Sequence, residues 1–156
     1  MRSVLEKMSV QEFSTYFERL IIEYAKENIA SGRWPEKGAI QHSRSDLWGL
    51  LPNGIYTVNN YLFNITNPEN DTCVGALWLA IDEDIHTAFI FDVLIKNEFR
   101  RQGFATRALD AVQRYAKSLG MNHIGLHVFN HNTAAKQLYT LLGFREVSCN
   151  MNKELL

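Results

Sequence analysis

Two short segments of the chain carry residue types whose spacing suits chemistry. The first is Arg100-Arg101-Gln102-Gly103-Phe104-Ala105, followed by Thr106. It lies between a strand-like run and a helix-periodic one, where free N–H groups and the helix dipole favour an anion. Gly103 removes a side chain where backbone must approach a phosphate closely, and Ala105 is the next smallest option. Arg100, Arg101 and Gln102 add donors. The second segment runs from Asn132 through Ala135, Leu138 and Tyr139 to Gly143-Phe144. Asn132 suits a helix cap, or an amide turned to a ligand beside the helix start. Ala135 and Tyr139, four apart, share a face, and the alanine leaves room beside the ring. Taken singly, each segment has an ordinary account: a basic turn with one glycine, and a tyrosine at the edge of a core. Neither a Gly-Lys-Ser/Thr phosphate loop nor the dinucleotide G-x-G-x-x-G is present at the first segment.

The elements that must position these residues follow from periodicity. Ser9-Val10-Gln11-Glu12 reads as a capping box opening a helix with Phe13, Phe17, Leu20, Ile21 and Tyr24 on one face. A second helical piece over about 40–51 stops at Pro52-Asn53-Gly54. Three strand-like runs follow, at 55–66, 72–81 and 87–96, separated by turn-forming clusters, so consecutive hairpins are expected. Ala105, Ala108, Leu109, Val112, Tyr115, Ala116 and Leu119 then trace a helical face that ends at Gly120. A short strand is expected over 123–129, a helix over 132–142 and a last strand over 144–151. The third strand, the helix after it and the next strand form a βαβ unit, so part of the sheet is parallel. The fold class is α/β with a mixed sheet.

The chain has 156 residues, 46% apolar and 21% charged, which suits one soluble domain with a real core. No run is apolar enough to span a membrane. The start, Met1-Arg2-Ser3-Val4-Leu5, lacks the apolar core of a signal peptide. Cys73 and Cys149 give no disulfide framework and fit a reducing cytoplasm. A formal net charge of −1 argues against a nucleic-acid partner.

The two segments together, in order and about thirty residues apart, resemble the GNAT superfamily of acyl-CoA-dependent N-acetyltransferases. The family's loop pattern, Arg/Gln-x-x-Gly-x-Gly/Ala, is matched by Arg100, Gly103 and Ala105. Its later pattern, Asn-x-x-Ala-x-x-Leu-Tyr-x-x-x-Gly-Phe, is matched by Asn132, Ala135, Leu138, Tyr139, Gly143 and Phe144. The resemblance covers roughly residues 72–150 and implies a single domain over 1–156 with a centrally splayed sheet flanked by helices. It implies acetyl-CoA as co-substrate, held over 87–144. Backbone of Val93, Leu94 and Ile95 would pair with the pantetheine arm and thioester carbonyl. Arg100, Arg101, Gln102, Gly103, Phe104 and Ala105 would wrap the pyrophosphate, with the Thr106 hydroxyl added. Asn132 would bond the pantetheine beside Ala135, and Tyr139 would face the sulfur.

Acetyl transfer needs a neutral amine, an oriented thioester and a proton for the departing thiolate. A lysine-like amine with pKa ~10.4 is about 3.4 units from pH 7, so presenting it neutral costs roughly 4.6 kcal/mol. A base can take up that proton during transfer, and a phenol can protonate a thiolate of pKa ~8.5. Tyr139 is the natural acid. For the base, Asp92 stands in an otherwise apolar strand, and His127 stands on the neighbouring one. Each has structural hydrogen bonding as its plain alternative. His123, His127 and His131 are four apart, but on a strand that spacing spans about 13 Å, too far to share an ion, so no metal is expected. Asp82-Glu83-Asp84 reads as a solvated hairpin turn.

Two functions of different class compete. One is an N-acetyltransferase acting by direct attack of a primary amine in a ternary complex. The other is a non-catalytic acyl-CoA-binding sensor of the same fold. The acceptor side is expected from the N-terminal helices over about 9–51 and their loop, including Tyr24 and Trp34. The sequence leaves open a small-molecule or peptide amine as acceptor, the use of other acyl groups, and a homodimer.

Overall fold

The computed structural model describes residues 3–156. Met1 and Arg2, part of the N-terminal reading above, lie outside them. The strands are β1 (Leu5–Lys7), β2 (Asn60–Thr66), β3 (Cys73–Asp82), β4 (Thr87–Ile95) and β5 (His123–Leu126). The helices are α1 (Val10–Ala30), α2 (Ala39–Leu50), α3 (Phe104–Ser118) and α4 (Thr133–Leu141). The sheet order is β1-β2-β3-β4-β5. Its first three pairings are antiparallel and β4–β5 is parallel, so the chain has the expected mixed α/β sheet. No helix among the described residues is long and apolar enough to cross a membrane.

Two compact units divide the chain. One takes in the chain up to Tyr16 together with Leu51–His127, and the other Phe17–Leu50 together with Val128–Leu156. The first unit is the sheet with α3. β3 is buried on both faces from Val74 to Leu79, as a central strand must be. The buried stripe Ala108, Leu109, Val112 and Ala116 turns α3 onto β4, β3 and β1. Trp78 carries its indole into this core and donates to Asn60 Oδ1 at 2.8 Å, so its polar atom is satisfied. The capping box at α1 forms in both directions: Glu12 N donates to Ser9 Oγ at 3.1 Å and Ser9 N to Glu12 Oε1 at 2.9 Å.

The second unit holds the rest of α1, α2 and α4. Ser43, buried on α2, donates to the Ile21 carbonyl at 2.7 Å, and Phe17 meets Trp48 edge-on with ring centroids 4.7 Å apart. Residues 144–156 run without regular structure and the sheet order ends at β5, so the last strand expected over 144–151 does not form. Val147, Cys149 and Met151 keep the spacing of two that a strand needs, yet all three are exposed, so no buried face sets a register there. β1, in contrast, is a strand that periodicity did not announce, since three residues are too few to show a period.

Gly75 sets how closely β3 and β4 can lie. A Cβ there would collide with the Leu94 carbonyl oxygen, and would also stand 3.0 Å from Leu94 C and 3.2 Å from Ile95 Cα. All three atoms are backbone, so nothing flexible can move aside. Gly75→Ala is expected to destabilise the protein by about 3 kcal/mol, the upper range of overpacking effects, read as a lower urea midpoint. An unchanged midpoint would show that β4 shifts freely.

Candidate functional site

In the first unit, β4 changes character halfway along. Ile90 pairs with Leu79 and Asp92 with Trp78, so Phe91 is an extra residue, a bulge of the kind that re-aims side chains. β5 pairs with β4 only over Thr87–Ile90. From Phe91 to Ile95 the strand runs on beyond that pairing, which is the expected opening between the central strands. Lys96 N donates to Val74 O at 2.8 Å. Counting back from that pair by the antiparallel alternation, Leu94 and Asp92 turn their backbone groups to β3. Val93 and Ile95 turn theirs outward. The backbone role expected of Val93, Leu94 and Ile95 thus narrows to Val93 and Ile95.

After β4 comes a short 3-10 turn over Asn97–Phe99 and then the loop into α3. Arg101 has φ 60° and Gly103 φ 82°, two left-handed residues that wind the backbone into a concave turn. The first i→i−4 bond of α3 is Arg107 N to Gly103 O at 3.1 Å, so the N–H groups of Phe104, Ala105 and Thr106 precede the helical ladder. Three side chains brace this loop through its carbonyls. Arg100 Nε donates to Ile95 O at 2.9 Å, Gln102 Nε2 to Glu98 O at 3.2 Å, and an Arg107 guanidinium nitrogen to Gln102 O at 3.1 Å. The Arg107 guanidinium also lies over the Phe104 ring, 4.6 Å from its centroid. Arg100 and Gln102 therefore shape the loop as well as offering donors. Arg107 is a site residue that the sequence reading left aside, although its position four after Gly103 is the one that lets it fold back.

Asp92 is the electrostatic centre of this unit. Tyr16, on α1, donates its hydroxyl to Asp92 Oδ2 at 2.7 Å. Burial pushes the carboxyl up to about 6, and the Tyr16 hydrogen bond pulls the other way without cancelling it. The Tyr16 phenol is itself driven well above its ordinary value by burial, and then by the neighbouring Asp92 charge. Tyr16 could not be found from the sequence, since it lies 76 positions from Asp92. His127 is exposed and follows β5 rather than standing on it.

In the second unit, α4 carries Ala135 and Tyr139 on one face, both half-buried. The Tyr139 ring meets Phe144 edge-on at 5.9 Å, and Phe144 N donates to Tyr139 O at 2.9 Å, closing the helix at Gly143 (φ 95°). Asn132 stands before α4 but makes no side-chain cap bond. Its Nδ2 instead lies 3.4 Å from Glu27 Oε2. Trp34 stacks on His42 with centroids 4.0 Å apart and meets Tyr24 edge-on at 5.4 Å. It lines a cleft of about 360 Å³ with Arg33, Pro35, Asn152, Lys153 and Glu154. Asp82-Glu83-Asp84 is the solvated turn expected of it, with Asp84 N bonded to Asp82 Oδ1 at 3.0 Å.

Comparison with known proteins bears on both units. A family model described as the acetyltransferase (GNAT) family matches residues 19–144. The chain is 36% identical over 158 residues to the uncharacterized N-acetyltransferase YdgE of Bacillus subtilis (strain 168), with 99% of each chain covered. It is 34% identical over 157 residues to YycN of the same organism, covering 99% of this chain and 100% of YycN. A crystal structure of YycN superposes with a TM-score of 0.92 over 97% of this chain and 98% of that one. AAC(6')-Iy in complex with the bisubstrate analogue CoA-S-monomethyl-acetylneamine has a TM-score of 0.59 over 97% of each chain, and at 15% identity it shares the fold alone.

Proposed function

From membership of the GNAT family of acetyltransferases, to which this chain belongs, we propose that it transfers an acetyl group from acetyl-CoA to a primary amine by direct attack. The carrying observation is the loop from β4 into α3. Two left-handed residues and three uncommitted first-turn N–H groups form a cradle for a pyrophosphate. It directly continues a strand whose outward backbone is unpaired by β5. AAC(6')-Iy, of the same fold, holds a CoA bisubstrate analogue.

In this reading the pyrophosphate lies on Arg100–Thr106, and the outward N–H groups of Val93 and Ile95 serve the pantetheine arm and the thioester oxygen. Asn132 bonds the pantetheine beside Ala135. The amine nitrogen attacks the thioester carbonyl carbon, the C–S bond breaks, and Asp92 takes the amine proton. A carboxyl near 6 is a better base at neutral pH than an ordinary aspartate. Tyr139 returns a proton to the thiolate. Residues 1–156 act as one acyltransferase domain, with the acceptor read by α1, α2 and the loop bearing Trp34. The steps call for no metal, membrane or nucleic acid, and the reaction belongs in the cytoplasm.

Acetyl-CoA is expected to raise the melting temperature by mass action: at 100 times its Kd the gain is about 2.7 kcal/mol, or roughly 5–10 °C for a chain of this size. Thermal melts with CoA and acetyl-CoA, each with and without chelator, make the measurement. No shift at millimolar acetyl-CoA would overturn the proposal. Release of CoA with a panel of amines then separates an enzyme from a binding module.

A further inference from the structure

The start of α4 is tied to α1 by one carboxylate. Glu27 Oε2 lies 2.7 Å from His131 Nε2 and 3.4 Å from Asn132 Nδ2. His131 is also stacked on Phe129, with ring centroids 5.7 Å apart and ring planes at 22°, and its side chain is 38% exposed.

Asn132 is a residue type that ordinarily caps a helix, yet here its side chain caps nothing and its amide nitrogen is turned to Glu27. A carboxylate only accepts hydrogen bonds, so it fixes which end of the amide faces it. With Nδ2 on Glu27, Oδ1 is left as the end directed elsewhere. Without that carboxylate the amide could flip, or fall back onto the free N–H groups of the α4 start.

We propose that Glu27 is a positioning residue for acyl-CoA. By holding Nδ2 of Asn132, it presents Oδ1 as an acceptor for an amide N–H of the pantetheine arm, with His131 Nε2 anchoring the same carboxylate oxygen. The proposal rests on the acyl-CoA reading above. It predicts a defect in cofactor binding rather than in chemistry. Glu27→Ala in the full chain is expected to raise Kd and KM for acetyl-CoA about 5- to 20-fold, with kcat within about 2-fold of the parent. Glu27→Gln, which keeps an acceptor oxygen, is expected to stay within about 3-fold in Kd. On an Asn132→Ala background Glu27→Ala is expected to add nothing, because the group it acts through is gone. Calorimetric titration with acetyl-CoA and steady-state kinetics read all five proteins: the parent, the two Glu27 variants, Asn132→Ala and the double variant. Equal Kd in the parent and Glu27→Ala, or the same loss on both backgrounds, would overturn the role of Glu27 while leaving the acyl-CoA reading intact. A parent protein that binds no acetyl-CoA would overturn both.

Discussion

Asp92→Asn is expected to make the protein more stable and a poorer catalyst at the same time. Asp92 titrates near 6 in the folded chain against an ordinary value of 3.8, because burial disfavours its charge. At pH 8 the folded state therefore carries a carboxylate it would rather hold protonated. The difference of about 2.2 units corresponds to roughly 3 kcal/mol at most, and less where the residue keeps some exposed surface. Asparagine removes that charge, and its carbonyl can still accept from Tyr16. A gain of about 1–3 kcal/mol is expected above pH 6. As pH falls from 6 towards 4, the folded protein takes up its proton before the unfolded chain does, so the parent regains stability. Well below the ordinary value of 3.8 both states are neutral at this position and the advantage of the variant vanishes. Urea denaturation at pH 8, 6 and 4 follows the decline, and a variant less stable than the parent at pH 8 would sink the argument.

The same substitution removes the proposed base. Turnover is expected to fall about 10²- to 10⁴-fold, and the acid limb of kcat/KM, near pH 6 in the parent, should disappear. Stability gained where activity is lost is the pattern of a charge kept in place for its chemistry. Turnover unchanged in Asp92→Asn would move the base elsewhere, to His127 or to water.

Much of this molecule could be read from local spacing, and what could not is instructive. The capping box needs only Ser9 and Glu12, three residues apart, and both of its bonds form. The stripe of α3 repeats over four turns and leaves little room for another reading. The loop at Arg100–Ala105 announced itself by its glycine and its basic residues, and Gly103 does take the left-handed conformation. Local spacing fails where a partner is distant. Tyr16 meets Asp92 across 76 positions, and Glu27 meets Asn132 across 105. Neither pairing leaves a trace in the composition of its own segment. Asn132 shows the consequence: its type suggested a cap, and the tertiary carboxylate drew it away. The bulge at Phe91 is equally silent, because an extra residue in one strand is defined only by the register of the next. The segment after Gly143 errs the other way, with strand-forming residues and no place in the sheet order.

Tyr139→Phe tests the acid and keeps nearly everything else. The ring remains, so its edge-on contact with Phe144 at 5.9 Å survives, and the bond from Phe144 N to the Tyr139 carbonyl does not involve the side chain. Folding stability is expected to change by no more than about 1–1.5 kcal/mol, the net worth of one hydrogen bond. Acetyl-CoA affinity is expected to stay within about 3-fold, since a phenol that serves the departing thiolate contributes mainly in the transition state. Turnover is expected to fall about 10- to 1,000-fold, with kcat and kcat/KM falling together. An acetyl donor with a more acidic thiol should lose less, because its thiolate departs without help. Urea denaturation, calorimetric titration and steady-state kinetics with any accepted amine provide the three readouts. Should turnover hold while the other two stay flat, Tyr139 is only a wall of the site, and the sulfur takes its proton from water.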